Sequence, residues 1–252
     1  MNKDFDTVAE LYDEIRPSYP QVVIDWILEI TKISKQDSIL EIGPGTGQAT
    51  GEFARRGFSI HCIEIGKNLA ALLKKNIEKY NVTVDVSSFE KWRPPDSFKT
   101  SLIYSATAFH WVDKNIKYKK CYHLLDSDGY LVVFWNRVPE TRYEQVKKAF
   151  DLLWEYCPEG KNKPKDPLQN WKNEITRSGY FTIKNDFLHK WILKEPKEIL
   201  LKSFFTQSSF LKLDKDTQIK VSTKVNELYQ SLDNEIITEL HTYAVIAQKK
   251  IQ

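Results

Sequence analysis

The sequence predicts an α/β fold in which helices cover both faces of a mainly parallel sheet. Short apolar, strand-like segments alternate with helical segments over residues 20–135, and this alternation is typical of parallel sheets. Three of the nine glycines, Gly43, Gly45 and Gly47, fall within five residues between a predicted strand and a predicted helix. An acidic residue, Glu64, follows the next predicted strand. These observations favour a doubly wound fold with a ligand at the glycine turn.

The elements of the first half follow from the spacing of apolar residues. Helical spacing predicts a helix over 20–31, and valines at every second position predict a strand over 82–86. Gly57 ends the helix after the glycine turn, and Gly129 marks the turn before the fifth strand. The predicted strands cover 38–42, 58–63, 82–86, 101–105 and 130–135, and the intervening helices cover 48–56, 69–80 and 114–125.

After Trp135 the alternation is less regular. A helix over 143–156 precedes a polar loop, 157–170, which contains three prolines. The later predicted elements are a helix over 171–178, a strand over 181–193, helices over 197–205 and 215–232, and a strand over 236–248. Because no linker or repeat divides the chain, we expect a single domain over 1–252. Its expected parts are N-terminal flap helices (1–37), a core (38–138) and helical inserts (139–179 and 194–235).

Composition argues against several classes of protein. The 252 residues carry 37 Lys and Arg against 34 Asp and Glu, and a net charge of +3 is small for a nucleic-acid-binding protein. Cys62, Cys121 and Cys157 are far apart, so we expect neither disulfides nor a zinc site, and a reducing, cytoplasmic compartment fits. No H-E-x-x-H pattern points to a metal. No apolar stretch approaches the ~20 residues of a membrane span, and the acidic N-terminal stretch is unlike a secretory signal.

The glycine turn has the local chemistry of a nucleoside-binding site. Glycines allow a ligand to approach the backbone closely, and the following helix offers free N–H groups. A carboxylate about twenty residues later, here Glu64, can accept hydrogen bonds from both ribose hydroxyls. The dinucleotide pattern G-x-G-x-x-G needs glycine where this chain has Gln48, which weakens the alternative of a nicotinamide-dependent oxidoreductase. A tight turn without a ligand is a further alternative.

The segment Glu41-Ile-Gly-Pro-Gly-Thr-Gly47, followed by Glu64, resembles the cofactor signature of class I S-adenosylmethionine-dependent methyltransferases. Three other motifs are similar to those of a small-molecule subgroup, the trans-aconitate-methyltransferase-like bacterial and archaeal proteins. They are Phe5-Asp-x-x-Ala9-x-x-Tyr12-Asp-x-x-Arg16-Pro-x-Tyr19-Pro20, Ala106-x-x-x-His110-Trp111 and Tyr243-Ala-x-x-Ala247. The resemblance implies a Rossmann-like seven-stranded sheet of order 3-2-1-4-5-7-6 with the last strand antiparallel. It also implies S-adenosyl-L-methionine as cofactor.

The resemblance also implies roles for individual residues. Ser88 stands where the family often has an adenine-binding Asp, and its hydroxyl can still accept a hydrogen bond, while Phe89 can pack on the ring. Glu64 would hold the ribose. The remaining cofactor-binding residues would be Glu41, Gly43, Pro44, Gly45, Gly47 and Ala106, with Tyr12 and Arg16 from the N-terminal motif. Tyr12 and Arg16 belong either to a flap over the cofactor or to a surface helix packed by aromatic residues.

His110 and Trp111 are the candidate catalytic pair. His110 can act as a general base, and Trp111 can donate its indole N–H to a substrate oxygen. A buried aromatic pair that shapes the pocket is the alternative. We therefore expect a methyltransferase that acts on a small molecule, with O-methylation of a carboxylic acid as one hypothesis. The flap and the two inserts would cap the substrate, and the protein would be a monomer or homodimer. A degenerate cofactor-binding regulatory module is the alternative function.

Overall fold

The computed structural model of the chain describes residues 4–161, 164 and 166–251. Residues 162, 163 and 165 of the predicted loop 157–170 lie outside the described residues. In the described part, seven strands form one sheet: β1 (Ser38–Ile42), β2 (Ser59–Glu64), β3 (Val82–Val86), β4 (Thr100–Ala106), β5 (Leu125–Arg137), β6 (Phe181–Pro196) and β7 (Glu235–Lys249). The order is β3-β2-β1-β4-β5-β7-β6. Strand β7 runs antiparallel to β5 and β6, so the predicted fold is confirmed.

Helices lie on both faces of the sheet. The α-helices are α1 (Ala9–Ile15), α2 (Gln21–Thr31), α3 (Thr50–Ala54), α4 (Lys67–Asn76), α5 (Lys117–Leu124), α6 (Glu144–Tyr156), α7 (Pro167–Arg177), α8 (Lys197–Phe205), α9 (Ser208–Leu211) and α10 (Lys215–Gln230). Short 3-10 helices cover Asp4–Val8, Phe109–Trp111 and Pro158–Lys161. Helices α2, α3 and α4 share one hydrophobic cluster with the sheet, and α5 and α7 share the cluster on its other face.

A third hydrophobic cluster lies apart from the two that cover the sheet. It joins α6, α8, α9 and α10 through buried residues such as Ala149, Phe204 and Val225. Helix α7 belongs to the same predicted insert, 139–179, as α6, but its buried Ile175 packs in one of the sheet clusters instead. The described part of the chain therefore has one group of helices that can cover the carboxyl edge of the sheet.

The structure differs from the sequence prediction in three places. Gly129 lies inside β5 and not in a turn; a Cβ there would lie 3.0 Å from the Leu125 side chain and 3.2 Å from the carbonyl oxygen of Ser101 on the neighbouring strand, which favours glycine. Helix α7 begins at Pro167, four residues before its predicted start, because the Asp166 carboxylate accepts a hydrogen bond from the Gln169 amide at 2.9 Å and caps it. The short helix α9 was not predicted.

Strands β6 and β7 form a hairpin that is longer than the rest of the sheet. The pairing of β5 with β7 ends at Arg137 and His241, whereas β6 and β7 stay paired to Pro196 and Glu235. Residues 235–240 and their β6 partners thus project beyond the end of β5. This projection places one arm of the sheet beside the helices of the third cluster, where Ile236 packs.

The glycine turn rests on a buried carboxylate. Glu41, which is 0% exposed on β1, accepts hydrogen bonds through Oε2 from Thr50 Oγ1 at 2.6 Å and from Tyr104 OH at 2.7 Å. The Cys62 thiol contacts the same oxygen at 3.8 Å. Its Oε1 has no hydrogen-bond partner among the described residues. Burial raises the pKa of Glu41 to about 7, because the interior disfavours the charged form.

We expect Glu41 to make folding stability depend on pH. Its raised pKa means that between about pH 4.5 and 7 the folded state binds a proton that the unfolded state releases, so the stability falls as pH rises through this window. Glu41→Gln removes the titration. Between pH 5 and pH 8, wild type should lose up to about 3 kcal/mol of unfolding free energy relative to this variant, as measured by urea denaturation. Glu29→Gln, an exposed site on α2, is the control. If the unfolding free energies of wild type and Glu41→Gln depended on pH in the same way, the expectation would be contradicted.

Candidate functional site

Two glycines of the turn have different neighbours. Gly45 has a φ of +62°, and a Cβ there would lie 3.5 Å from Tyr12 Cε1 at the wall of a cavity. Gly47 has a φ of +104°, and a Cβ there would lie 2.8 Å from Leu73 Cδ1 in the core. Both need the left-handed backbone that glycine adopts without strain. Gly45 therefore leaves room on the ligand side of the turn, whereas Gly47 lets the turn pack against α4.

Glu64 joins the glycine turn to the end of β2. Its Oε2 accepts a hydrogen bond from the Gly45 amide at 3.0 Å, and its Oε1 accepts one from the Gly66 amide at 2.8 Å. The residue is 2% exposed and lines the cavity. Burial raises its pKa, and the two amide hydrogen bonds oppose that shift. Each carboxylate oxygen has a second lone pair, so the group can also accept from hydroxyls of a ligand.

The N-terminal segment covers this turn. Tyr12 lies against the Gly45 position, and the Arg16 guanidinium lies 4.7 Å from the centre of the Tyr12 ring. Arg16 lines the cavity, and its buried Nε has no acceptor among the described residues. Phe5 makes edge contacts with Tyr12 and Trp111, with ring centroids 5.6 and 6.3 Å apart. The flap alternative for Tyr12 and Arg16 therefore agrees with their positions.

Asp6 fastens the segment at a point that sequence reasoning did not assign. Its carboxylate accepts hydrogen bonds from the backbone amides of Asn68 at 2.8 Å and Leu69 at 3.0 Å, in the first turn of α4. A negative charge is favourable at a helix N-terminus. The Asp6 charge also helps to raise the pKa of Glu64. The only sequence signal was that Asp6 lies inside the N-terminal motif.

The turn after β4 carries the predicted catalytic pair, and it separates the two residues. Thr107 has a φ of +56°, and a 3-10 helix follows it over Phe109–Trp111. Trp111 lines the cavity, but His110 is exposed and is not among the lining residues. Lys117, 2% exposed, donates a hydrogen bond to the Phe109 carbonyl at 3.3 Å and pairs with Glu174 at 2.7 Å. The placement favours Trp111 over His110 as a substrate contact.

A cavity of about 740 Å³ unites most of the predicted site. Predicted residues that line it are Tyr12, Arg16, Gly43, Pro44, Gly45, Glu64, Ala106 and Trp111. Five others do not line it: Glu41, Gly47, Ser88, Phe89 and His110. Glu41 and Gly47 lie beneath the turn, and Phe89 is 0% exposed in the core. Ser88 Oγ accepts from the Lys91 amide at 3.3 Å and so caps a local turn. Ser88 and Phe89, which were predicted to contact the adenine, therefore contact other residues of the protein and do not line the cavity.

Several lining residues were missed by the sequence reasoning. Arg137 ends β5, where carboxyl ends of parallel strands form ligand sites, and that position was an available signal. Glu195 lies on the part of β6 beyond its predicted end at Leu193. Phe150 and Trp154 are one helical turn apart on α6 and face the cavity. Their spacing was visible in the sequence, but it does not distinguish a cavity wall from core packing.

Two negative findings concern the described residues alone. They contain no group of three or more His, Cys, Asp or Glu side chains arranged to hold a metal ion. None of their helices is both long enough and apolar enough to span a membrane.

Comparison with known proteins places the chain among methyltransferases. Residues 39–129 match a family described as a methyltransferase domain. An uncharacterized methyltransferase-like protein of Schizosaccharomyces pombe is 25% identical over 233 residues, which cover 91% of this chain and 87% of that protein. These matches agree with the resemblance of the glycine turn to the cofactor signature.

Two solved structures share the fold. The YcgJ protein of Bacillus subtilis has a TM-score of 0.59 at 16% identity, and the match covers 92% of this chain and 99% of the YcgJ chain. Phosphoethanolamine N-methyltransferase 2 of Haemonchus contortus, solved with S-adenosyl-L-methionine, has a TM-score of 0.55 at 19% identity. The match covers 99% of this chain and 60% of that one. The resemblance to the trans-aconitate-like subgroup stays a prediction. The matched domain, the relative and the fold support a class I S-adenosylmethionine-dependent methyltransferase, with S-adenosyl-L-methionine as its cofactor.

Proposed function

We propose that the protein methylates a small organic acid on a carboxylate oxygen. The observation that carries the proposal is Arg16, whose buried Nε has no acceptor among the described residues and which lines the same cavity as Trp111. A guanidinium matches the geometry of a carboxylate, and an indole N–H can donate a further hydrogen bond. A carboxylate is already nucleophilic at pH 7, because its reference pKa is near 4. The absence of histidine from the described lining residues agrees with an acceptor that needs no base.

The residues at the glycine turn fit the cofactor. In this proposal the Glu64 carboxylate accepts from the ribose hydroxyls, and the backbone of Gly43, Pro44 and Gly45 lies along the methionine part. When bound, S-adenosylmethionine supplies a methyl group on a positively charged sulfur, and its transfer leaves S-adenosylhomocysteine and a methyl ester. Tyr12, Phe5 and Trp111 exclude water from that end of the cavity, and the protein contributes orientation in place of acid–base chemistry.

The domain organisation belongs to the same proposal. A single domain over 1–252 binds the cofactor with its core, 38–138, and caps the acceptor with the flap and the two inserts, 139–179 and 194–235. The position of α6 and α8 beside the cavity supports the cap. The three cysteines are buried and free, which supports the cytoplasmic location expected from the sequence.

Glu64→Ala should weaken the binding of S-adenosylhomocysteine at least tenfold. Each hydrogen bond to a charged group contributes about 1.5–3 kcal/mol, and a tenfold change needs only about 1.4 kcal/mol. Isothermal titration calorimetry measures the affinity, and a circular dichroism spectrum shows whether the variant is folded. Glu29→Ala, on the exposed side of α2, is the matched control. An unchanged dissociation constant in Glu64→Ala would remove Glu64 from the site.

Valine at Gly45 and at Gly47 should have different consequences. Both variants force a β-branched residue into left-handed backbone. Gly47→Val also overpacks the core against Leu73, which costs about 1–3 kcal/mol more and lowers the melting temperature by on the order of 5 °C further. Gly45→Val should instead abolish cofactor binding, since its side chain occupies the ligand side of the turn. Differential scanning fluorimetry with and without S-adenosylhomocysteine separates the loss of stability from the loss of cofactor binding. Normal binding by Gly45→Val would show that the glycine serves the turn alone.

The acceptor class can be tested with a panel of acceptors and a His110 variant. Carboxylic acids, amines and phenols should be screened at pH 5.5 and 8 with labelled S-adenosylmethionine. We expect carboxylic acids to be methylated at both pH values over many turnovers, and His110→Ala to keep this activity. Desolvation lowers the pKa of His110 to about 4, so His110 would be neutral at both pH values and the variant separates the two reactions. Methylation confined to amines or phenols, and lost in His110→Ala, would replace this proposal with a base-assisted reaction. Cofactor binding without turnover on any acceptor would favour a regulatory module.

A further inference from the structure

The far end of the cavity contains a carboxylate that the methyl-transfer chemistry does not use. Glu195 lies on the projecting part of β6, opposite Ile236 of β7, and lines the cavity. It is half-buried. The carboxylate of Glu195 makes no hydrogen bond or ion pair with any other described residue. The ammonium of nearby Lys197 donates to the Leu232 carbonyl at 3.4 Å instead.

This carboxylate differs from the other charged groups of the distal wall. Asp151 and Lys161 also line the cavity, but both are exposed, so water solvates their charges. Half-buried Lys147 lines it too, and its ammonium pairs with Glu144 at 3.9 Å. Burial raises the pKa of Glu195, and no neighbouring cation offsets the shift. A half-buried carboxylate without a counter-charge is unfavourable for the protein alone. A ligand with a cationic group would supply the missing counter-charge and so explain the position of the Glu195 carboxylate.

The wall between Glu195 and the methyl-transfer end is apolar. Phe150 and Trp154 of α6 and Leu200 of α8 form one side, and Leu193 and Leu240 of the β6–β7 hairpin form another. Such a wall suits a hydrocarbon chain or ring. The aromatic rings can also attract a cation that passes or stops beside them.

The near end of the cavity has the opposite charge. Arg137 ends β5, and its buried Nε has no acceptor among the described residues, although its Nη1 donates to the Pro164 carbonyl at 3.1 Å. Arg137 pairs with His241, and Glu195 with Ile236, on the same strand β7. Five residues of strand separate these positions, which is about 17 Å. Glu195 therefore belongs to a part of the cavity wall that lies far along β7 from the end of β5.

We propose that Glu195 binds a cationic group at the far end of the acceptor, and that the acceptor is an elongated amino acid with separated charges. This inference rests on the proposed function, since it keeps the carboxylate end of the molecule at Arg16 and Trp111 beside the methyl donor. The ammonium end then pairs with Glu195, and the hydrocarbon part lies along Phe150 and Trp154. The acceptor carboxylate, and not the amine, receives the methyl group, and the product keeps its positive end.

Two acids of equal length test the inference. 8-Aminooctanoate and nonanoate differ in having an ammonium or a methyl group at the far end. Wild type should prefer 8-aminooctanoate at least tenfold in kcat/KM, which corresponds to about 1.4 kcal/mol. Glu195→Gln should reduce this preference to near one, and Glu195→Lys should shift it toward nonanedioate. Glu198→Gln, an exposed carboxylate three residues away, should keep the wild-type preference.

Calorimetry with the complex of protein and S-adenosylhomocysteine gives a second readout that does not depend on turnover. Wild type should bind 8-aminooctanoate at least tenfold more tightly than nonanoate, and Glu195→Gln should lose the difference. If both acids are methylated and bound equally well, the role of Glu195 is wrong and the carboxylate methyltransferase remains. If 8-aminooctanoate is bound with the predicted preference but methylated on nitrogen, the proposed function is wrong. Glu195 would then still contact the acceptor, but the acceptor would lie in the cavity in a different orientation.

Discussion

The arrangement of the site depends on one buried carboxylate beneath the glycine turn. Glu41 ties β1, β2, α3 and β4 together, because its neighbours Cys62, Thr50 and Tyr104 come from three different elements. The turn above it has left-handed glycines at three alternate positions, Gly43, Gly45 and Gly47. Glycine adopts this backbone without steric cost. The same contacts hold Gly45 where Glu64 can reach its amide, so the cofactor half of the cavity is organised before any ligand arrives.

Sequence reasoning predicted the fold well because the signals are local. β1 and β3 have the predicted bounds, since apolar runs and alternating valines depend on the pleat of a strand alone. The glycine turn was equally accessible, because left-handed backbone requires glycine wherever it occurs. Gly129 shows the limit of that rule. It was interpreted as a turn, but the close approach of the Ser101 carbonyl across the sheet requires glycine there, and such a contact is not visible in one strand.

The site was predicted less completely than the fold, because a cavity is made by residues distant in sequence. Glu64 and Trp111 follow strands at the carboxyl edge, a position that sequence can identify. His110 is adjacent to Trp111 yet faces solvent, since a 3-10 helix turns neighbouring side chains in different directions. Glu195 required the knowledge that β6 and β7 continue past β5, and strand length is set by a partner strand and not by local sequence. Phe89 was assigned to a ligand but belongs to the core.

The Asp6 contact with α4 has a kinetic consequence. The segment that covers the glycine turn is fastened at α4, the helix that follows Glu64 in the chain, and Tyr12 lies against the Gly45 backbone. We therefore expect exchange of spent cofactor for fresh cofactor to open these hydrogen bonds and form them again. Motions of covering segments occur on the microsecond to millisecond timescale and often limit turnover. We expect the rate of this exchange to depend on how firmly Asp6 and Asp13 hold helix α4.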